Sequence, residues 1–287
     1  MLPILWSAHP AMPIEPTMSD GSPSQATVLD TLNVRISAGT GRTMMFAHGF
    51  GCDQNMWRFV APDFATDFRT ILFDHVGAGG SDLGAYDADK YDSLDGYADD
   101  VIELARTLDV TNGVFVGHSV SAMIGLVVAR RAPELFSTIV LVSPSPCYID
   151  DIDYTGGFTR DEIDELLQFL DSNPMGWSQA MAPVIMGNPD RPELSEELAA
   201  SLCRTDPEIA KRLARVTFLT DSRGDLGPID ADVLVLQCRE DAIAPPGVGA
   251  YVQRAIPGSR LVTLDAVGHC PNLSAPASTI AAIRAFV

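Results

Sequence analysis

The sequence predicts an α/β fold, a mostly parallel sheet with helices on both faces and a helical cap inserted into it. Three observations carry that expectation. Short β-rich runs alternate with helical patterns from Ala26 onward. Between two of the runs, Val101, Leu104, Ala105 and Leu108 fall at i, i+3, i+4, i+7, the stripe of one amphipathic crossover helix. About ninety residues separate a run ending near Val142 from one beginning near Val233, far more than a βα crossover needs.

In chain order, residues 1 to about 24 contain Pro3, Pro10, Pro13, Pro16 and Pro23 with little periodicity and read as a flexible leader, with Met12 and Met18 as alternative starts. Residues 25–287 read as one domain, because no second motif set or linker divides them and their length supports one large core. The expected strands are Thr43 to Ala47, Thr70 to Phe73, Val114 to Val116, Thr138 to Val142, Val233 to Gln237 and Leu261 to Leu264, with the crossover helix between the second and third. The cap is expected over about 146–228. Within it Ile163, Leu166, Leu167 and Leu170 have helical spacing, and Leu198, Leu202, Ile209, Leu213 and Val216 suggest further helices. Most of these stripes pack within the cap. Phe158, Trp177, Met181, Val184, Ile185 and Phe218 are the candidates for lining a cleft.

Composition excludes several classes. With 46% hydrophobic and 20% charged residues the chain has the balance of an ordinary soluble globule. Its net charge of −19 would repel a phosphate backbone, and no Lys/Arg cluster offsets it, so no nucleic-acid partner is expected. The cap region alone carries sixteen acidic residues against seven basic ones. Cys52, Cys147, Cys203, Cys238 and Cys270 are an odd set without C-x-x-C spacing, which argues against a disulfide framework and a zinc site and fits the reduced thiols of a cytoplasmic protein. The apolar start, Met1 to Trp6, lacks a basic region and is interrupted by Pro3, a poor signal peptide. Nothing approaches the roughly 18 apolar residues of a membrane span, so no membrane partner is expected.

Chemistry concentrates at strand ends. Gly117-His118-Ser119-Val120-Ser121 follows an apolar run and opens a small-residue helical stretch, which reads as a strand-to-helix turn that thrusts one hydroxyl outward, a nucleophile elbow. So sharp a turn demands small residues two before and two after the nucleophile. Gly117 and Ser121 meet that demand, the second with Ser in place of the usual Gly.

A serine hydroxyl needs a base to take its proton, and the base needs a carboxylate to hold its tautomer. His269 follows the last expected strand and Asp241 the one before it, giving the order Ser119, Asp241, His269. Glu240 is a competing acid, disfavoured by the apolar-Pro turn that follows Asp241; Asp265 is too near His269 in sequence to reach its far nitrogen easily. His9 lies in the leader without an argued role. His48, His75 and His118 lie beside glycines at strand ends, where local hydrogen bonding is expected rather than metal binding. An oxyanion needs two backbone N–H donors, expected from Val120 and from Phe50 in the turn His48-Gly49-Phe50-Gly51.

The segments His48-Gly49-Phe50-Gly51-Cys52-Asp53, Phe73-Asp74-His75-Val76-Gly77-Ala78-Gly79-Gly80-Ser81-Asp82, Leu94 to Asp100, Gly117 to Met123 and Ser143-Pro144-Ser145-Pro146 together resemble the α/β-hydrolase family. Within it the chain is similar to the RsbQ group of bacterial sigma-B stress-response regulators and the related plant strigolactone and karrikin receptors. Tyr154 to Phe158, Arg204 to Pro207 and Gly268 to Pro271 extend that similarity, which runs from about Ala26 to near the end of the chain. The resemblance implies a four-helix cap, inserted after the sixth strand, over an apolar pocket that Phe50 also faces. It implies a Ser119-Asp241-His269 triad, Phe50 and Val120 as oxyanion donors, and no cofactor or metal. It also implies two biological uses: plant members hydrolyse a butenolide slowly and signal through partner proteins, and RsbQ serves a phosphatase that carries a ligand-sensing domain.

The expected activity is therefore hydrolysis of a small apolar carboxylic ester or lactone through an acyl-enzyme. The alternative is a regulator or ligand receptor whose slow hydrolysis feeds a protein contact, a phosphatase among the candidate partners. A haloperoxidase or C–C hydrolase would share the triad. A dehalogenase is disfavoured because its nucleophile is normally an Asp.

Overall fold

The strand Thr43–Ala47 sends Met45 and Ala47 into one buried core and Met44 and Phe46 into another, as the two-residue period of an extended chain requires. The computed structural model describes residues 27–287, so the leader and His9 lie outside the described residues. Seven strands form its central sheet: β1 (Arg35–Ile36), β2 (Thr43–Ala47), β3 (Arg69–Leu72), β4 (Gly113–His118), β5 (Phe136–Val142), β6 (Asp232–Glu240) and β7 (Arg260–Val267). Their order is β1-β3-β2-β4-β5-β6-β7, parallel throughout except for the antiparallel pairing of β1 with β3.

Central position explains composition. β4 has neighbours on both edges and layers on both faces, and all six of its residues are buried. Ala47 pairs with Gly117, Gly117 with Leu141 and His118 with Val142, which brings the C-terminal ends of β2, β4 and β5 to one level. In open α/β sheets that edge is where ligands bind.

Beyond the short α1 (Val28–Thr31) and α2 (Ala61–Phe64), the crossover helix is α3 (Leu94–Thr107), and α4 (Val120–Arg131) follows β4. The inserted helices are α5 (Arg160–Ser172), α6 (Pro174–Met186), α7 (Pro192–Arg204) and α8 (Pro207–Leu219). After β6 comes α9 (Pro246–Ala255), and after β7 come α10 (Pro271–Ser274) and α11 (Pro276–Arg284). One core joins the sheet to α3, α4, α9 and the Leu213–Val216 face of α8; the other joins it to α2, α11 and the inserted helices.

Local signals bound the inserted helices. Thr159 caps α5 in a reciprocal pair with Glu162, each side chain accepting the other residue's backbone N–H. Proline occupies the first position of α6, α7 and α8, where its missing N–H costs nothing. Gly187 ends α6 at φ +59°, a left-handed cap.

Two details differ from expectation. The edge strand β1 went unforeseen because two exposed residues carry no alternation to detect. The cap follows the fifth strand of the described chain, not the sixth, since only β1 precedes β2 there. No helix among the described residues is long and apolar enough to cross a membrane.

Candidate active site

Ser119 joins β4 to α4 at φ +56° and ψ −122°, a conformation L-residues avoid, held by the layers around it. Its N–H donates to Val142 O at 2.9 Å, which ties the turn to β5. The steric demand falls on Gly117, where a Cβ would lie 2.3 Å from Ser121 O.

His269 follows β7, and its imidazole bridges the other two side chains. Nδ1–H donates to Asp241 Oδ2 at 2.8 Å, and Nε2 accepts the Ser119 hydroxyl at 2.9 Å. A carboxylate can only accept, which assigns this tautomer. Gly268 N–H donates to Glu240 O and His118 Nε2–H donates to His269 O, both at 2.8 Å, so the main chain on either side of the imidazole is held.

Asp241 follows β6 and curls back on itself. Its Oδ1 accepts the N–H groups of Ile243 at 2.8 Å and Ala244 at 3.0 Å, leaving Oδ2 for His269. Burial pushes its carboxyl pKa upward, but His269 and the two N–H donors outweigh that and hold it below the usual range. The competing acids turn away. The side chains of Glu240 and Asp265 are 64% and 83% exposed and face Arg239.

The expected oxyanion donors flank the serine. Val120 N–H opens α4, where the first turn's amides have no intrahelical acceptor. Neither it nor Phe50 N–H has an acceptor among the described residues. The loop carrying Phe50 sits against the elbow: a Cβ on Gly49 would lie 2.6 Å from His118 Nδ1 and 3.2 Å from Ser119 Cβ.

A cluster of aromatic rings leads away from the serine through Tyr148, whose hydroxyl approaches Ser119 Oγ. Phe50 packs edge-on against Trp177 at 5.9 Å and Phe218 at 6.1 Å, and Tyr148 against Phe218 at 5.1 Å. A cavity of about 320 Å³ opens beside Phe50 and Trp177, walled also by Leu170, Asn173, Leu202 and Thr205; Ser119, His269 and Phe218 do not line it. That volume is at the small end of ligand pockets. Phe158, Met181 and Ile185 are half-buried against the same core without lining this cavity. Val184 lies two turns beyond Trp177 on the same stripe of α6, where that stripe emerges, and is 46% exposed.

Sequence reasoning missed Tyr148. Its hydroxyl lies 3.4 Å from Ser119 Oγ, and because the serine proton is committed to His269, the phenol is the donor. Burial pushes that phenol up to about 12, so it stays protonated at neutral pH. Its position just past β5, at the ligand-binding end of the sheet, was the available signal. Of the histidines expected to bond locally, His48 does so to Gly49 O, whereas His75 reaches Ser121 and His118 reaches His269 O, partners from other strand ends.

Residues 44–283 match the model of a family described as the alpha/beta hydrolase family. The chain is 38% identical over 263 residues to strigolactone esterase D14 of Arabidopsis thaliana, covering 91% of this chain and 98% of that one. It is 34% identical over 245 residues to karrikin insensitive 2 receptor CA of Petunia hybrida, covering 85% and 91%. Among solved structures, a hydrolase from Oleispira antarctica superposes with a TM-score of 0.88 at 40% identity, covering 90% of this chain and 95% of that one.

Proposed function

The chain belongs to the alpha/beta hydrolase family, and from that membership we propose that it is a serine hydrolase cleaving a small apolar carboxylic ester or lactone. The observation that carries the reading is the buried hydrogen-bonded chain from Asp241 through His269 to Ser119. In this reading His269 Nε2 takes the Ser119 proton as Oγ attacks the carbonyl carbon. Asp241 stabilises the imidazolium without itself becoming protonated. The tetrahedral oxyanion is received by Val120 N–H and Phe50 N–H, the former at the positive end of α4. His269 then protonates the leaving alkoxide, or the alkoxide arm of an opened lactone. Water attacks the acyl-enzyme with His269 as base, and collapse returns the proton to Ser119.

The aromatic cluster of Phe50, Tyr148, Trp177 and Phe218 supports an apolar acyl or ring group over a charged one. The relatives named esterases support ester chemistry. A second reading is favoured by the relatives named receptors: slow hydrolysis that feeds contact with a protein partner, a phosphatase among the candidates.

The test is Ser119→Ala, assayed on short-chain aryl esters and butenolide lactones. The variant should fold normally and lose turnover, and a sulfonyl fluoride should label Ser119 alone in the wild type. Full activity in the variant, or labelling elsewhere, would end the proposal. Fast multiple turnover by the wild type favours the metabolic reading; slow turnover with partner binding favours the receptor.

A further inference from the structure

Ser121 occupies the second small position of the elbow, and its hydroxyl does something a glycine there would not. The side chain is fully buried and meets His48 and His75. A carbonyl can only accept, so the one Ser121 proton goes to His48 O, and His75 must donate to Ser121 Oγ from Nε2, at 2.8 Å. The backbone N–H of His75 donates in turn to His48 Nε2 at 3.0 Å. His48 Nδ1 is then protonated and donates to Gly49 O at 2.9 Å.

Three hydrogen bonds thus close a loop through His48, His75 and Ser121. These residues lie past β2, past β3 and just past β4, the neighbours in the sheet order β3-β2-β4. His48 O, held by this loop, and Gly49 O, which accepts from the His48 ring and from Cys52 N–H at 3.2 Å, belong to the peptide units on either side of Gly49. The second of those units carries the N–H of Phe50.

We propose that Ser121 is a positioning residue for the oxyanion hole: its hydroxyl anchors the His48 carbonyl and thereby aims the Phe50 N–H at the substrate oxygen above Ser119. This rests on the hydrolase reading. Losing an oxyanion donor outright costs on the order of 10²- to 10³-fold in kcat, and tilting one costs less. Removing the brace should therefore lower kcat about ten- to a hundredfold while leaving substrate binding nearly intact.

The experiment compares wild type with Ser121→Ala on a short-chain aryl ester, with folding checked by circular dichroism and thermal unfolding. The expected result is that fall in kcat, a KM within about threefold, and an equal loss of affinity for an alkyl boronic acid that mimics the tetrahedral state. A folded Ser121→Ala with wild-type kcat, or with its loss confined to KM, overturns the proposal. Should the variant not fold, long-range ¹H–¹⁵N spectra of the wild-type histidines decide. His48 protonated on Nδ1 and His75 on Nε2 uphold the loop, and the opposite tautomer at either one overturns it. A wild type that neither turns over any ester nor labels at Ser119 removes the hydrolase reading itself, an outcome distinct from a silent Ser121→Ala.

Discussion

The backbone N–H of His269 donates to the carbonyl oxygen of Ile185 at 2.8 Å, so the loop that carries the imidazole is hydrogen-bonded to the last turn of cap helix α6. Asn188 Nδ2–H reinforces the junction by donating to Val267 O at 2.9 Å. Cap and imidazole are therefore mechanically joined, and displacing the end of α6 displaces the imidazole.

The glycine in that junction supplies the first prediction. Gly268 has φ +90°, and a Cβ there would lie 1.8 Å from Met186 O. Gly268→Ala should lower stability by about 1–3 kcal/mol and shift His269 enough to cut kcat roughly a hundredfold. Gly247→Ala is the control: nothing lies within 4 Å of its Cβ position, in the first turn of α9. It should stabilise by about 0.4–1 kcal/mol and leave turnover unchanged. Urea unfolding and ester kinetics on both variants check the pair.

Asp241→Asn should lower kcat by on the order of 10³ to 10⁴, because the amide favours the wrong histidine tautomer while keeping the side chain's shape. Glu240→Gln should change little, since that carboxylate faces Arg239 and solvent. A reversed order in the two rate constants would mean that Glu240, and not Asp241, orients the base.

Neutral esters should be cleaved better than anionic ones of equal size, by about tenfold in kcat/KM at low salt. A cluster of aromatic rings leads away from the serine, and the cap region carries nine more acidic than basic residues. Added salt should narrow the gap by screening the cap's charge. Paired acetyl and hemisuccinyl aryl esters measured at two ionic strengths test this, and a preference for the anion that survives high salt contradicts it.

Stability should fall on mild acidification. Burial holds His118 down to about 3, and burial with the neighbouring His48 holds His75 well below the ordinary imidazole value. Both are depressed in the folded state, so below the unfolded value of about 6.5 the unfolded chain binds more protons and gains on the folded one. Their contribution is complete above that pH and is lost as pH falls, for His118 down to about 3. Between pH 7.5 and 5 His118 should cost about 2 kcal/mol, with His75 acting in the same direction. Urea titrations at the two pH values, with His118→Gln flattening the dependence, provide the measurement.

The sequence by itself determined what depends on neighbours along the chain. Short β-rich runs marked six of the seven strands, and i, i+3, i+4, i+7 spacing marked α3, because burial selects apolar, β-prone residues for a covered sheet and apolar residues at the helical period for one face of a helix. Strand-end positions singled out Ser119, Asp241 and His269, and the sterics of a tight turn explained Gly117. Only the tertiary structure decided how those segments meet. Asp241 turns toward His269 through an Asx turn on Ile243 and Ala244, whereas Glu240 and Asp265 sit on the same ends with their carboxylates in solvent. Trp177 and Val184 share one stripe of α6, yet one is buried and the other exposed, because docking against neighbouring helices sets where the stripe is covered. Tyr148 and the His48–His75–Ser121 loop join residues from separate strand ends. Such contacts depend on the packing of distant elements, which leaves no period in the chain to read.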